Sequence, residues 1–281
     1  MRASVVALHT ITALPLDPHF PLFQQYPAMK LGVRESVRFY ARLLAPLAEK
    51  IMAGEPDTTE WVMTAPPLYA IPAGANLVAR EVYRILGELT PRHVRLQYVD
   101  LRYALPDPRA AHDPLRAGDY SNSGVAARIE NRRQLHEGKW APRPDPADFR
   151  DRAVLVINDI NVTGTQQDFI ERTLGTVHPA SIHWLYVLQV DPPLGRTSPE
   201  VEYALNHLNL ETFEEFAAIV AGADIDYTSR CVARLFGDSR DRLVPLLRSL
   251  DETRRRRLHQ LVTEEGSYTA EASEAKLAQL H

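Results

Sequence analysis

Two apolar runs on either side of one helical stretch constrain this chain more than anything else in it. Residues 154–157 (VLVI) and 182–190 (IHWLYVLQV) have the composition of strands, and residues 165–174 between them read as a helix. A strand, a helix and a strand at this spacing imply a right-handed crossover between parallel neighbours. The expected fold is α/β, a parallel sheet flanked by helices.

The upstream sequence supplies further elements. Across residues 31–54, Val33, Val37, Tyr40, Leu44 and Leu47 recur three and four apart, the pattern of an amphipathic helix that Gly54 ends. Residues 61–64 (WVMT) read as a short strand closed by Pro66 and Pro67, residues 75–89 as a second helix, and residues 93–101 as the next strand. From 103 to 149 the chain is irregular, with one predicted helix in GVAARIENRRQLHEG; stretches this long inside compact domains are functional lids or disordered segments. Beyond Pro193 almost everything reads as helix.

Composition removes several classes of function. The 281 residues carry a net charge of -4, so bulk electrostatics call for neither nucleic acid nor an anionic membrane, and any anion site must be local. Arg254, Arg255, Arg256 and Arg257 sit among acidic neighbours and are expected to form a solvated helix face. A single cysteine, Cys231, excludes an internal disulfide framework and a cysteine-based zinc site; beside Val232 and Leu235 it reads as a small buried apolar residue. His9 and Thr10 interrupt the apolar start, and no run reaches the roughly 18 residues of a spanning helix. A cytoplasmic location is expected, which leaves the sequon at Asn161 without consequence.

The chemistry is concentrated in VLVINDINVTGTQQ, residues 154–167. A helix N-terminus offers unpaired N–H groups and a partial positive charge, so a glycine-containing loop that opens a helix suits a phosphate. Gly164 permits close backbone approach, Thr163 and Thr165 add hydroxyls, and Asp159 at the strand end is placed to accept hydrogen bonds from vicinal sugar hydroxyls or to hold Mg²⁺ through water. A phosphorylated sugar fits both ends. A nucleotide-binding P-loop would need a lysine that the loop lacks. A haloacid-dehalogenase phosphatase would place a second aspartate where Asn161 stands, and an ordinary polar turn is the plain alternative.

The same residues resemble the phosphoribosyl-pyrophosphate (PRPP) motif of type I phosphoribosyltransferases: four apolar residues, an acidic pair, two mostly apolar residues, then a T-x-G-x-T-like loop. The resemblance implies that Asn158 and Asp159 face the ribose hydroxyls while Val162, Thr163, Gly164, Thr165 and Gln166 wrap the 5′-phosphate. Asn158 stands where an acid is usual, Asn161 replaces an apolar residue and Gln166 the final hydroxyl residue. Residues 65–82 (APPLYAIPAGANLVAREV) resemble the pyrophosphate loop of ComF-like phosphoribosyltransferases, with Pro67, Leu68, Tyr69, Gly74 and Asn76 in the loop and Ala73 in place of the family's arginine. SNSGVAARIENRRQL resembles the hood helix of that group, with Arg128 and Asn131 at its R-x-x-N spacing. YPAMKLG, around Lys30, resembles phosphoribosyltransferase-like proteins of tellurium-resistance clusters. The resemblance covers residues 61–190. The expected organisation is an N-terminal segment and helix packing on the core (1–58), a core (59–195) with a hood at 103–150, and a helical C-terminal region (196–281).

What the resemblance implies is displacement of pyrophosphate from C1 of PRPP, or of a related ribose-5-phosphate nucleotide, by a nitrogen acceptor. Mg²⁺ is the implied cofactor. Asp159, Asn158 and Arg128 are the implied catalytic residues, with Arg132, Arg133 and Lys139 as hood cations, each equally a solvated charge. Tyr103, Tyr120 and Trp140 either stack on a planar acceptor or pack the hood; Tyr69 either lines the site or lies under it; His93 and His136 read as surface residues. Because Asn158 brings no charge toward an oxocarbenium-like centre, a non-catalytic PRPP or nucleotide sensor remains the alternative, followed by an interaction scaffold. The expected partner is a small-molecule substrate, with no nucleic acid and no membrane. The helical C-terminus is left open as a homodimer interface, a lid or a partner surface.

Overall fold

The computed structural model describes residues 2–68, 70–99 and 144–266. Strands β1 (Arg2–Ile11), β2 (Trp61–Thr64), β3 (Val94–Leu96), β4 (Ala153–Asn161) and β5 (Ser181–Val190) form one sheet in the order β1-β5-β4-β2-β3, and every pair is parallel. The expected parallel α/β architecture is present. From the centre the chain leaves in both directions: β2 crosses through α4 (Gly74–Leu89) to β3, and β4 crosses through α6 (Thr165–Gly175) to β5. Where such crossovers diverge, the loops leaving the strand ends part and open a crevice. Here that point lies between β2 and β4.

Two elements go beyond the sequence expectation. The first residues, expected only as part of an N-terminal segment packing on the core, form β1, an edge strand that among the described residues pairs with β5 alone, with His9 level with Leu188 and Ile11 with Val190. β4 runs four residues beyond Ile157, so Asn158 and Asp159 are strand residues, Asn158 pairing with Tyr186.

The sheet is buried on both faces, and the period-two alternation of strand side chains divides it. Helices α1 (Pro21–Gln24), α2 (Tyr26–Leu31) and α3 (Arg34–Ala53) join α4 over the face carrying Trp61, Met63, Leu155, Ile157, Leu185 and Val187. The predicted helix across residues 31–54 is thus α3, which buries Val37, Tyr40, Ala41, Leu44, Ala48 and Met52; each large apolar side chain so buried is worth about 1.5–3 kcal/mol. On the other face, Ile170 and Leu174 of α6 pack with Val62, Val154, Val156, Ile182 and Trp184. Consecutive residues at the end of β4 therefore serve opposite faces, Asn158 toward α6 and Asp159 toward α2.

After the short α5 (Pro146–Phe149) and the strands, the chain continues as α7 (Pro192–Thr197), α8 (Val201–His207), α9 (Phe213–Gly222), α10 (Ser229–Gly237), α11 (Arg240–Ser249) and α12 (Glu252–Glu265). The last four enclose a second apolar cluster that includes Phe216, Val232, Leu235, Leu247 and Leu258, joined by Leu31 and Ile71 from the first half of the chain. Cys231 is buried there, and burial pushes its thiol up. Arg254 departs from the expected solvated face. Its guanidinium donates to the carbonyls of Val220, Ala221 and Ala223, capping the C-terminus of α9.

A seam ties this region to α2. Gly32 has φ +94°, and a Cβ there would lie 1.8 Å from the Asp226 carbonyl oxygen. The Asp226 N–H donates to the Gly32 carbonyl at 2.9 Å, Thr228 Oγ1 to the Lys30 carbonyl at 2.7 Å, and the Ser229 N–H to the Pro72 carbonyl at 2.9 Å. Burial raises the Asp226 carboxyl, but Arg34 and Arg80 more than offset this and hold it below its ordinary range. Among the described residues, no helix is long and apolar enough to cross a membrane.

Candidate functional site

The end of β4 organises one wall of the crevice. Asn158 accepts the Asp159 N–H at 2.9 Å through Oδ1 and donates through Nδ2 to Gln166 Oε1 at 3.3 Å, joining the strand end to the first turn of α6. Asn161, which replaces an apolar residue of the motif, fastens the turn: its Oδ1 accepts the Gly164 N–H at 2.9 Å and its Nδ2 donates to Gln167 Oε1 at 3.0 Å. Gly164 is the N-cap of α6, with φ +78° and nothing within 4 Å of where a Cβ would stand. The N-cap glycine has no side chain to cap the helix, and the Thr163 hydroxyl accepts the Thr165 N–H at a long 3.4 Å. The Thr163 and Thr165 hydroxyls are 2.8 Å apart beside it. The remaining N–H groups of the first turn, the helix dipole, two hydroxyls and open space form a seat for an anion. Val162 contributes backbone only; its side chain is buried, and a Cβ at Gly195 would lie 2.0 Å from its carbonyl oxygen.

A buried polar network supports the seat from below. Gln167 Nε2 and Trp184 Nε1 both donate to Glu171 Oε1 at 2.8 Å, and the Tyr186 hydroxyl donates to Gln167 Oε1 at 3.2 Å. Burial, reinforced by Glu171 and Asp159, raises the Tyr186 hydroxyl well above its ordinary value and keeps it a donor. The amide of Gln167 is thereby held in one orientation.

Asp159 lies on the other face. Its Oδ1 accepts the Ile160 N–H at 2.8 Å, and its Oδ2 is paired with Lys30 Nζ from α2. Lys30 also lies 3.6 Å from Glu202 Oε1 of α8. The sequence singled out Lys30 only through YPAMKLG and gave no signal for Glu202, because the partners come from α2, β4 and α8, which are far apart in the chain.

The opposite wall is the loop after β2. Asn76 ties its two ends, with Oδ1 accepting the Ala73 N–H at 2.8 Å and Nδ2 donating to the Pro66 carbonyl at 2.9 Å. The Tyr98 hydroxyl, pushed up to about 12 by burial, donates to the Asn76 carbonyl. Gly74 faces α2: a Cβ there would meet Met29 Sδ at 2.9 Å and the Met29 carbonyl oxygen at 3.0 Å, so its bareness admits the helix that carries Lys30. Pro67 and Leu68 are half-buried. The N–H groups of Ala70 and Ile71 both donate to Glu265 Oε2 at 2.8 Å, a contact from the end of α12 with no local sequence signal. Tyr69, Tyr103, Tyr120, Arg128, Asn131, Arg132, Arg133, His136, Lys139 and Trp140 lie outside the described residues. His93 is exposed beside β3. A cavity of about 530 Å³ between Arg34, Arg38, Arg42 and Asp224 touches none of the crevice residues.

Residues 113–280 match the family model described as PRTase ComF-like. The chain belongs to the ComF-like phosphoribosyltransferase family. The family matched is thus a phosphoribosyltransferase one and not a phosphatase or P-loop family. The match runs through β5 and all the helices that follow, so the C-terminal region, placed outside the resemblance from sequence, lies within the ComF-like span; the β2 loop precedes it. No curated protein matches the chain.

Proposed function

We propose that the chain binds the ribose 5-phosphate portion of PRPP, or of a related nucleotide, in the crevice between the β2 and β4 loops, and transfers the phosphoribosyl group to a nitrogen acceptor. One observation carries this reading: a left-handed Gly164, with open space above it, opens a helix at the crevice end of β4 in a member of a phosphoribosyltransferase family. The 5′-phosphate would sit on the first turn of α6, with the Thr163 and Thr165 hydroxyls as further donors. The ribose hydroxyls would face Asn158 and Asp159, and pyrophosphate would lie toward the β2 loop and the hood cations Arg128, Arg132, Arg133 and Lys139.

In the proposed reaction the acceptor nitrogen's lone pair forms the bond to C1 as the C1–O bond breaks and its electron pair leaves with pyrophosphate. The chain's contribution is positioning and electrostatics: α6 anchors one end of the sugar, and the polar end of β4 faces the carbon that gains positive character. Among the described residues no three potential metal ligands converge, and both Asp159 oxygens are engaged, so this set does not fit a resident ion. Mg²⁺ is proposed to enter with pyrophosphate as part of the substrate.

The second reading, a sensor that binds without turnover, is favoured by Asn158 in place of an acid and by the Lys30 charge against Asp159. Calorimetric titration with PRPP and Mg²⁺, followed by pyrophosphate-release assays over a panel of bases and small amines, separates the two. Binding with release from at least one acceptor is expected. Binding without release across the panel favours the sensor, and no binding at millimolar PRPP removes both.

A further inference from the structure

We infer that Lys30 is a positioning residue of the ribose site, a resident cation that fixes the Asp159 carboxylate between β4 and α2 with Glu202 as its second anchor. The inference rests on the ribose-phosphate reading of the β4 loop and deepens it by naming what sets selectivity for a sugar over bare phosphate.

Three side chains from separate elements meet out of solvent, with side-chain exposures of 12% for Lys30, 10% for Asp159 and 9% for Glu202. An ion pair so enclosed is little screened by salt, and a carboxylate left there without its cation would be costly. A compact ammonium has three N–H donors and suits a position between two carboxylates better than a planar guanidinium does. One donor is bonded to Asp159, and the Glu202 carboxylate at 3.6 Å pairs with the same charge without a direct hydrogen bond. Tyr26, one helical turn before Lys30, has its ring centre 5.6 Å from Nζ, and its buried hydroxyl has no hydrogen-bond partner among the described residues. The surroundings are built to hold this lysine. Gly74 admits α2, Thr228 bonds the Lys30 carbonyl, and Gly32 lets the chain turn directly after it.

The consequence falls on Asp159. With Oδ1 on the Ile160 N–H and Oδ2 on Lys30, both oxygens of the carboxylate are anchored before any ligand arrives. A prepositioned acceptor binds vicinal hydroxyls with little reorganisation. The anion seat on α6 is independent of it, because its donors belong to residues 163–167. Lys30 should therefore govern recognition of the sugar and leave recognition of the phosphate unchanged.

The test measures binding of ribose 5-phosphate and of inorganic phosphate to the full chain by calorimetry, with chelator present so that divalent cations play no part. Lys30→Met is expected to weaken ribose 5-phosphate roughly tenfold while inorganic phosphate stays within about twofold, and Lys30→Arg should recover part of the loss. A purely structural lysine would lower the melting temperature and leave the ratio of the two affinities unchanged, which would overturn the inference. If Lys30→Met does not fold, Asp159→Asn and the charge-balanced Lys30→Met/Asp159→Asn pair carry the test. Equal ribose 5-phosphate affinities in that pair are expected, and a further tenfold loss in the double variant would overturn the inference. Wild-type protein that binds neither probe would instead sink the ribose-phosphate reading itself.

Discussion

Across the crevice, the two loops hold their backbone N–H groups in opposite states. After β2, the amides of Ala70 and Ile71 already share a carboxylate oxygen of Glu265, an anion carried by the chain itself. After β4, the N-cap glycine of α6 offers no side chain, the Thr165 N–H meets the Thr163 hydroxyl only at 3.4 Å, and the space above Gly164 is open. The difference separates two ways of making an anion site. The β4 seat is assembled by neighbours in sequence, such as Asn161 bonding Gly164, and stands complete without a ligand. The β2 loop is held by a contact between residues about 195 positions apart, and an external anion could reach those two amides only by displacing Glu265.

The largest expected effect lies on the open side. Gly164→Val should weaken PRPP or nucleotide monophosphate binding on the order of a hundredfold by filling the seat. The left-handed φ should cost the fold only about 1–2 kcal/mol. Retained affinity would mean that the anion binds elsewhere. On the filled side the order reverses. Glu265→Ala should lower stability to urea by about 2 kcal/mol, because it strands two amides. Inorganic pyrophosphate should raise the melting temperature of this variant more than that of wild type, and equal shifts would show that the loop takes no external anion. Asn158→Asp restores the usual acid and should change pyrophosphate release about tenfold with less than about a threefold change in affinity. Equal changes in both would reduce Asn158 to a binding residue.

The smallest effect concerns charge alone. Burial pushes the Glu265 carboxyl up, and the two amide bonds offset this only in part, so the folded chain holds that proton more tightly than the unfolded chain does. The stability tied to Glu265 is then full below the ordinary carboxylate range and falls as pH rises through the raised value. Glu265→Gln keeps an acceptor for both amides, so at neutral pH it should stay within about 1 kcal/mol of wild type and lack this pH slope. A loss as large as that of the alanine variant would show that the charge itself holds the loop.

What could be read from sequence follows the same division. β2, β4, β5, α3, α4 and α6 announce themselves through local periodicity, and the β4 motif through residues within one turn of each other. β1 does not, because an edge strand pairing with residues about 180 positions away carries little local signal. Lys30 sits in a six-residue helix, and its role depends on partners from β4 and α8. Within the region beyond Pro193 that reads as helix, the chain breaks at Asp251, whose carboxylate accepts the Arg254 N–H and starts α12. Arg254 itself looked solvated because the carbonyls it caps lie about 30 residues earlier.

The seam at Gly32 also has a meaning in time. During synthesis, β2 and its loop emerge well before Asp226, Thr228 and Glu265, the residues that close on α2 and on the Ala70 and Ile71 amides. A nascent chain can complete the β4 seat as soon as α6 has formed, but the rest of the crevice waits for about 90 further residues. A stalled or truncated product would therefore hold a finished β4 loop beside an unfinished wall, and its affinity for the proposed ligand would report how far translation had gone.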